Sequence, residues 1–526
     1  MAICAAILSG ILLFAAFPSY NFSILAWVAM IPLFLVLAHS KPLHAFFISV
    51  IFGVVFYTGI FWWMFDLSKY RVLHHAILGV YLTPLMGFFG WAVCIIARRS
   101  GPAAAFGAAP FIWISLEYIR SNFDFLSLPW GLLAHSQYQH PILIQISAIT
   151  GAYGISFLIV LVNAAAAAML YPACLILKKH QPAAGRQLTK MGRIAIAGTA
   201  FILLGLTVSF GYFKTSGVVP GKEIKVSLIQ GNIKQSKKWD PKYGSAIMQT
   251  YAGLTQKAAE EKPALIIWPE TATPRSITEN YGLYRQVKKI AQQAGSPLVL
   301  GSSELQKHKK NDHSDRKYFN SAFLIYSKPV RKKVQRYDKI NLLPFSEYIP
   351  YKEKIPWSYL GIPDVGSYLP GKEFTIFVLE DFRFGVTICW ENIFPRVVRQ
   401  FIQNGAQFII NITNEAWFGE SAAPYQFLSM SVFRAVENAV TIVRCGNTGV
   451  SCIIDPYGRI VSRLKDVNGQ DIFIRGVLTG PVTLSESKTF YTKFGDLIVY
   501  LSMVAGALVL IFSFSNKKAA TEDPLK

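Results

Sequence analysis

Three polar residues close apolar, β-prone runs in the second half of the chain. Glu270 ends "ALIIWPE", Lys339 follows "VQRYD", and Cys389 sits in "RFGVTICWENIFP". A thiol can act as nucleophile, a carboxylate can take its proton, and an ammonium can stabilise the oxyanion of a tetrahedral intermediate. Together they make a set suited to acyl transfer. "ENIFPRVVRQFI" reads as a helix starting directly after Cys389. A helix N-terminus there is expected to lower the thiol pKa and favour thiolate, with a backbone N–H after the cysteine assisting Lys339. Each residue alone has an ordinary reading: a turn cap, a surface charge, a small core thiol. It is the three together, at strand ends, that point to chemistry, because open α/β sheets gather reacting groups there.

The elements that would position them follow from periodicity. Short apolar runs read as strands over 223–232, 264–270, 297–304, 321–327, 384–391, 408–413 and 441–447. Amphipathic helical patterns lie between several of them, as over 243–262 and 280–295. Near-continuous apolar strands alternating with helices imply α/β layers.

The rest of the chain is of another kind. Its 526 residues are 52% hydrophobic and only 16% charged, with mean hydropathy +0.35. Met1 to Ser40 contains no Lys, Arg, Asp or Glu. About eight stretches are long and apolar enough to suggest crossings of a bilayer: 2–17, 23–39, 44–65, 74–97, 103–119, 150–176, 192–213 and 495–514. The first lacks the basic flank of a cleavable signal and is read as a span. The expected organisation is therefore membrane helices one to seven over 1–216, an α/β domain over 217–490, and a last span with its tail over 491–526.

Loop charges set the orientation. Lys41, Arg98, Arg99, Lys178, Lys179, Arg186, Lys190, Arg193, Lys517 and Lys518 fall on one side; Lys69, Arg71 and Arg120 fall on the other. The richer side is expected to be cytoplasmic, which puts the α/β domain outside. The net charge of +22 comes from these residues and from loop clusters such as Lys307–Lys310 and Arg331–Arg336. Such clusters suit solvent or anionic headgroups, and no nucleic-acid motif accompanies them. The six cysteines form no CxxC or Cys/His cluster, so no metal and no cofactor are expected. A bridge between Cys445 and Cys452 across a Gly turn is conceivable.

The order Glu–Lys–Cys in "IIWPETATP", "YDKINLLPFSEYIP" and "VTICWENIFP" resembles the carbon–nitrogen hydrolase (nitrilase) superfamily. With "QGNIKQSKKW", "TNEAWFG", "RAVENAV", "TFYTKFGD" and "LPWGLLAHSQ", nearly the whole chain is similar to its membrane branch, the apolipoprotein N-acyltransferases. Two mild departures are Trp390, where a tyrosine is more usual, and a short amino terminus. The resemblance implies an αββα sandwich outside the cytoplasmic membrane of a bacterium, on its periplasmic face. It implies Glu270 as base, Lys339 as oxyanion stabiliser and Cys389 as nucleophile. Glu347 would position Lys339 or the leaving groups, and Glu391 and Trp390 would flank the thiol and shape the pocket. It implies a phospholipid acyl donor, typically phosphatidylethanolamine, a thioester on Cys389, and transfer to the α-amino group of diacylglyceryl-cysteine in lipoproteins.

Two long acyl chains favour a site held at the membrane, since exposing each CH₂ to water costs about 0.8 kcal/mol. A thioester that is to form an amide also needs water excluded. The aromatic, Pro- and Gly-rich stretch 344–371 is expected to form a lid, and Trp239, Trp417 and Phe418 to line the acyl entrance. A membrane-anchored amidase with water as acceptor is the alternative, although one anchor would then suffice. A transporter would be expected to carry charges inside its spans, and few occur: Glu117 and Asp66 lie near span ends.

Overall fold

The structure is a computed structural model and describes residues 1–67, 70–178, 188–217, 219–306, 317–329, 334–362 and 368–515. Lys69, Lys179, Arg186, Lys517 and Lys518, the 307–310 cluster and residues 331–333 lie outside these. The chain divides into two compact units, Met1–Gly217 with Phe494–Lys526, and Val218–Lys493.

Among the described residues of the first unit six helices are long and apolar enough to cross a membrane: Pro42–Asp66, Val72–Ser100, Pro102–Ser121, Tyr153–Pro172, Lys190–Thr215 and Leu497–Ser515. The first two apolar stretches differ from expectation. Ala2–Ala15 is a helix of 14 residues, about 21 Å at 1.5 Å per residue, short of a hydrocarbon core of about 30 Å. The stretch from Ser23 is broken into a 3₁₀ turn, Ser23–Trp27, and a helix, Ile31–Leu37. Backbone groups freed at such a break need partners where water is absent. Asn163 supplies them, accepting from Met30 N at 2.8 Å and donating to Ala26 O at 2.8 Å. Glu117 is likewise used internally, accepting from Trp113 Nε1 at 3.0 Å and Leu133 N at 2.9 Å.

Among its described residues the second unit has twelve strands: β1 (Lys222–Gln230), β2 (Leu265–Ile267), β3 (Leu298–Leu305), β4 (Tyr318–Ile325), β5 (Gln335–Asp338), β6 (Phe377–Val378), β7 (Arg383–Ile388), β8 (Phe408–Thr413), β9 (Thr441–Gly446), β10 (Cys452–Ile454), β11 (Ile460–Arg463) and β12 (Gly476–Leu484). They form two six-stranded sheets, ordered β12-β1-β2-β3-β4-β5 and β11-β10-β9-β8-β7-β6. In each, the central strands are parallel (β1-β2-β3 and β7-β8-β9) and the outer ones antiparallel. The sheets pack face to face, β1 on β9 and β4 on β7.

Helices cover the outer faces, giving α–β–β–α layers. Helix Tyr281–Ala294 shows why. Leu283, Val287, Ile290 and Ala291 recur at helical spacing and are buried, making one apolar stripe. Asn280 caps its start, accepting from Leu283 N at 2.9 Å, and Gly295 ends it at φ +67°, where glycine is at ease. With Ile247, Met248 and Tyr251 of the Gly244–Ala259 helix, this stripe packs on Ile266, Trp268, Leu300 and Phe323. Helices Pro395–Gln403 and Ala423–Asn438 pack on β7 and β9 of the other sheet.

The possible Cys445–Cys452 bridge is absent; both thiols are free and buried. Cys452 pairs with Arg444, not with Cys445, and strand alternation turns the two sulfurs to opposite faces.

Candidate active site

Glu270 lies three residues beyond β2, Lys339 directly follows β5, and Cys389 directly follows β7. The sandwich brings them together. Asn320 on β4 bridges two carboxylates, its amide donating to Glu270 Oε1 at 2.8 Å and Glu347 Oε1 at 3.1 Å. The other oxygen of Glu270 accepts Asn414 N at 2.7 Å. Lys339 Nζ donates to Glu347 Oε2 at 2.8 Å, and that oxygen also accepts Leu343 N at 2.7 Å. Glu270, Lys339, Glu347 and Cys389 are all buried, and the Cys389 sulfur feels the charges of the other three.

The thiol departs from expectation. Burial, then the Glu270 charge, push it up to about 12; Lys339 pulls it down, Glu347 adds to the push, and the Thr413 hydroxyl pulls down. Cys389 opens a 3₁₀ turn, Cys389–Ile393, and the α-helix begins only at Pro395. The dipole of that helix acts within its first turn, too far along the chain to lower the thiol. Burial therefore holds the Cys389 thiol in its neutral form. Burial alone would lower the Lys339 ammonium, but Glu347 foremost, with Cys389 and Glu270, outweighs it and raises the group. Lys339 thus stays a cation through the neutral range.

Cys389 sits at φ +56°, a left-handed conformation that a non-glycine residue adopts at a cost of about 1–3 kcal/mol. Its surroundings hold it there. Asn411 Nδ2 donates to Cys389 O at 3.1 Å. Glu391, wholly buried, ties two loops together. It accepts Ile388 N at 2.9 Å on one oxygen, and on the other Ile340 N at 2.8 Å, Asn341 N at 3.0 Å and Tyr337 OH at 2.9 Å. The strand end bearing Cys389 is thereby fixed to the one bearing Lys339. Trp390 adds a tie, its Nε1 donating to Asn341 O at 2.6 Å.

Gly301 on β3 serves Glu270 from below. A Cβ there would lie 2.7 Å from Glu270 Cα and 2.6 Å from Thr271 N, so only glycine lets the strand pass under the turn. Trp239 and Trp417 are exposed, and the half-buried Phe418 packs on Phe427 at 5.8 Å. Within 344–371 the described part is largely non-helical, with one 3₁₀ turn at Trp357–Leu360; residues 363–367 lie outside the described residues. Among the described residues no His, Cys, Asp and Glu group could hold a metal.

Asn320, Asn414, Asn411 and Gly301 were not marked by sequence reasoning. A polar residue inside an apolar strand, such as Asn320 in "YFNSAFLIYS", was the available signal.

An αββα sandwich with a buried Glu, Lys and Cys at its strand ends defines a carbon–nitrogen hydrolase-type protein. The family model described as carbon-nitrogen hydrolase matches residues 225–488, and that of the apolipoprotein N-acyltransferase N-terminal domain matches 9–165. An apolipoprotein N-acyltransferase of Geobacter metallireducens is 34% identical over 97% of this chain and 95% of its own. Another, of Chlorobaculum tepidum, is 29% identical over 96% and 95%. A solved amidase of the nitrilase superfamily from Nesterenkonia aligns over 54% of this chain and 99% of its own, at 18% identity and a TM-score of 0.38. The chain belongs to the apolipoprotein N-acyltransferase family.

Proposed function

We propose that this protein moves a fatty acyl chain from a phospholipid to the amino terminus of a diacylglyceryl lipoprotein, through a thioester on Cys389. The supporting observation is the joining of Glu270, Lys339, Glu347 and Cys389 in one buried hydrogen-bonded and charge-coupled cluster. Cys389 Sγ attacks the ester carbonyl of the donor, phosphatidylethanolamine in this reading, while Glu270 takes the thiol proton. A neutral thiol makes this transfer part of the attack. Lys339 stabilises the oxyanion. As the intermediate collapses, Glu270 returns the proton to the leaving alkoxide, so a lysophospholipid departs and the thioester remains. The neutral α-amino group of the diacylglyceryl-cysteine then attacks the thioester. Glu270 takes the amine proton and passes it to the departing sulfur, leaving an amide and a free thiol.

In this reading Glu347 holds Lys339, Glu391 and Trp390 hold the nucleophile's turn, and Trp239, Trp417 and Phe418 meet the acyl chains. The segment 344–371 forms the lid. The chain crosses the bacterial cytoplasmic membrane about eight times in this reading. Boundaries fall near 217 and 490, and the catalytic domain is periplasmic, as the loop charges favour.

Mass spectrometry of the purified chain incubated with phosphatidylethanolamine tests the reading. A fatty-acyl adduct on Cys389, discharged as an amide onto a diacylglyceryl-cysteinyl peptide, is expected. No adduct, or discharge to water at the same rate without the peptide, would overturn it.

A further inference from the structure

Lys238 stands outside the set of Glu270, Lys339, Glu347 and Cys389, yet it is buried beside the base. It is 3% exposed, and its Nζ donates to the main-chain oxygen of Glu270 at 3.0 Å. It closes the short turn Gln235–Lys238. From that turn Gln235 Oε1 accepts Asn414 Nδ2 at 3.0 Å, and Asn414 N donates to the Glu270 carboxylate. One turn of chain thus grips Glu270 twice, at its backbone and, through Asn414, at its carboxylate.

The charges explain why a lysine is there. The site buries two carboxylates, Glu270 and Glu347, and buried charges persist only when compensated. Lys339 is bonded to Glu347. The other ammonium coupled to Glu270 and to Cys389 is Lys238. The titratable groups that act with Glu270 are Lys238, Lys339, Cys389 and Tyr368, and Glu347 shares Asn320 with it.

We propose that Lys238 is a positioning residue whose positive charge balances and aims the Glu270 carboxylate, so that this group is placed to take the Cys389 proton. The proposal rests on the acyl-transfer reading. Burial lowers the Lys238 ammonium to about 8, against the pull of Glu270 and Cys389. Its charge is therefore present at neutral pH and leaves as the medium turns mildly alkaline.

The test is the pH profile of Cys389 acylation in the full chain, reconstituted in mixed micelles with a fluorescent-acyl phosphatidylethanolamine. Lys238→Gln keeps a donor for the Glu270 carbonyl and removes the charge. Its acidic limb should move up by about one pH unit, the effect of losing one near opposite charge, so that acylation at a pH below the wild-type limb falls roughly tenfold. Lys238→Arg should keep the acidic limb and lose the alkaline limb near pH 8, because a guanidinium stays protonated. A purely structural role would lower the amplitude in both variants and move neither limb, which would overturn the proposal. If Lys238→Gln does not fold, Lys238→Met supplies the uncharged variant. Should neither fold, an Arg variant that retains the alkaline limb overturns it by itself. If the wild-type chain forms no acyl adduct, the acyl-transfer reading fails and this inference falls with it. If the adduct forms and the Gln profile matches wild type, only the role of Lys238 fails.

Discussion

Replacing Glu391 with alanine should unlatch the nucleophile's turn from the loop that carries Lys339. Four donors lose their acceptor at once: the N–H groups of Ile388, Ile340 and Asn341, and the Tyr337 hydroxyl. A buried donor left unsatisfied costs about 1–3 kcal/mol. Even at the lower end the loss is about 4 kcal/mol, a large part of the roughly 5–15 kcal/mol that keeps a domain folded. Glu391→Gln should act in the same direction to a smaller extent. Its amide oxygen can keep the three donors on one side, and its NH₂ then faces the Ile388 N–H, so one clash of about 1–3 kcal/mol is expected. The assay is urea unfolding of the full chain in detergent, followed by labelling of the buried thiols Cys445 and Cys452. With a slope of about 3 kcal/mol per molar urea, alanine should lower the midpoint by about 1.3 M or more and glutamine by about 0.3–1 M. The acylation rate of Cys389 should fall in the same order. Equal midpoints for alanine and wild type, or equal losses for alanine and glutamine, would refute the latch.

Glu347→Gln breaks a buried pair between groups of 1% and 11% side-chain exposure, which should cost about 3–5 kcal/mol and cut acylation at least a hundredfold; stopped-flow or quench measurement of the adduct checks it. Gly301→Ala puts a methyl against Glu270 Cα and Thr271 N, and should lower acylation about tenfold or more while the spans still insert, read as adduct formed per membrane-inserted chain. The thiol of Cys389 is pushed up to about 12, so its protonated form is favoured in the folded chain throughout the neutral range. Alkylation by an uncharged reagent, mapped to Cys389, should keep rising with pH beyond 9, where an ordinary thiol near 8.5 levels off; a plateau below pH 9 refutes the burial argument.

Much of the site was legible because its members carry local signatures. Glu270, Lys339 and Cys389 each close an apolar run, and β8 runs from Phe408 to Thr413 as the apolar pattern implies. The antiparallel outer strands were less legible. β12 reads "GVLTGPVTL", weak in pattern because it is half exposed and pairs along β1 rather than between helices. Lys238 and Asn320 were hidden for a related reason: their roles lie in partners distant along the chain, Lys238 with Glu270 and Asn320 with Glu270 and Glu347.

Sequence alone determined the division into apolar helices and an α/β domain, since hydrophobic period and length are local properties. It also marked three candidate reacting groups, Glu270, Lys339 and Cys389. Tertiary structure decided their state. Cys389 is a neutral thiol rather than a thiolate, because burial and the neighbouring Glu270 act on it across the sandwich. Glu391 became a latch between two strand ends, and Lys238 a second cation beside the base, through contacts that exist only once the sheets have packed. Desolvation and pairing are properties of an enclosed volume, and no stretch of sequence contains one.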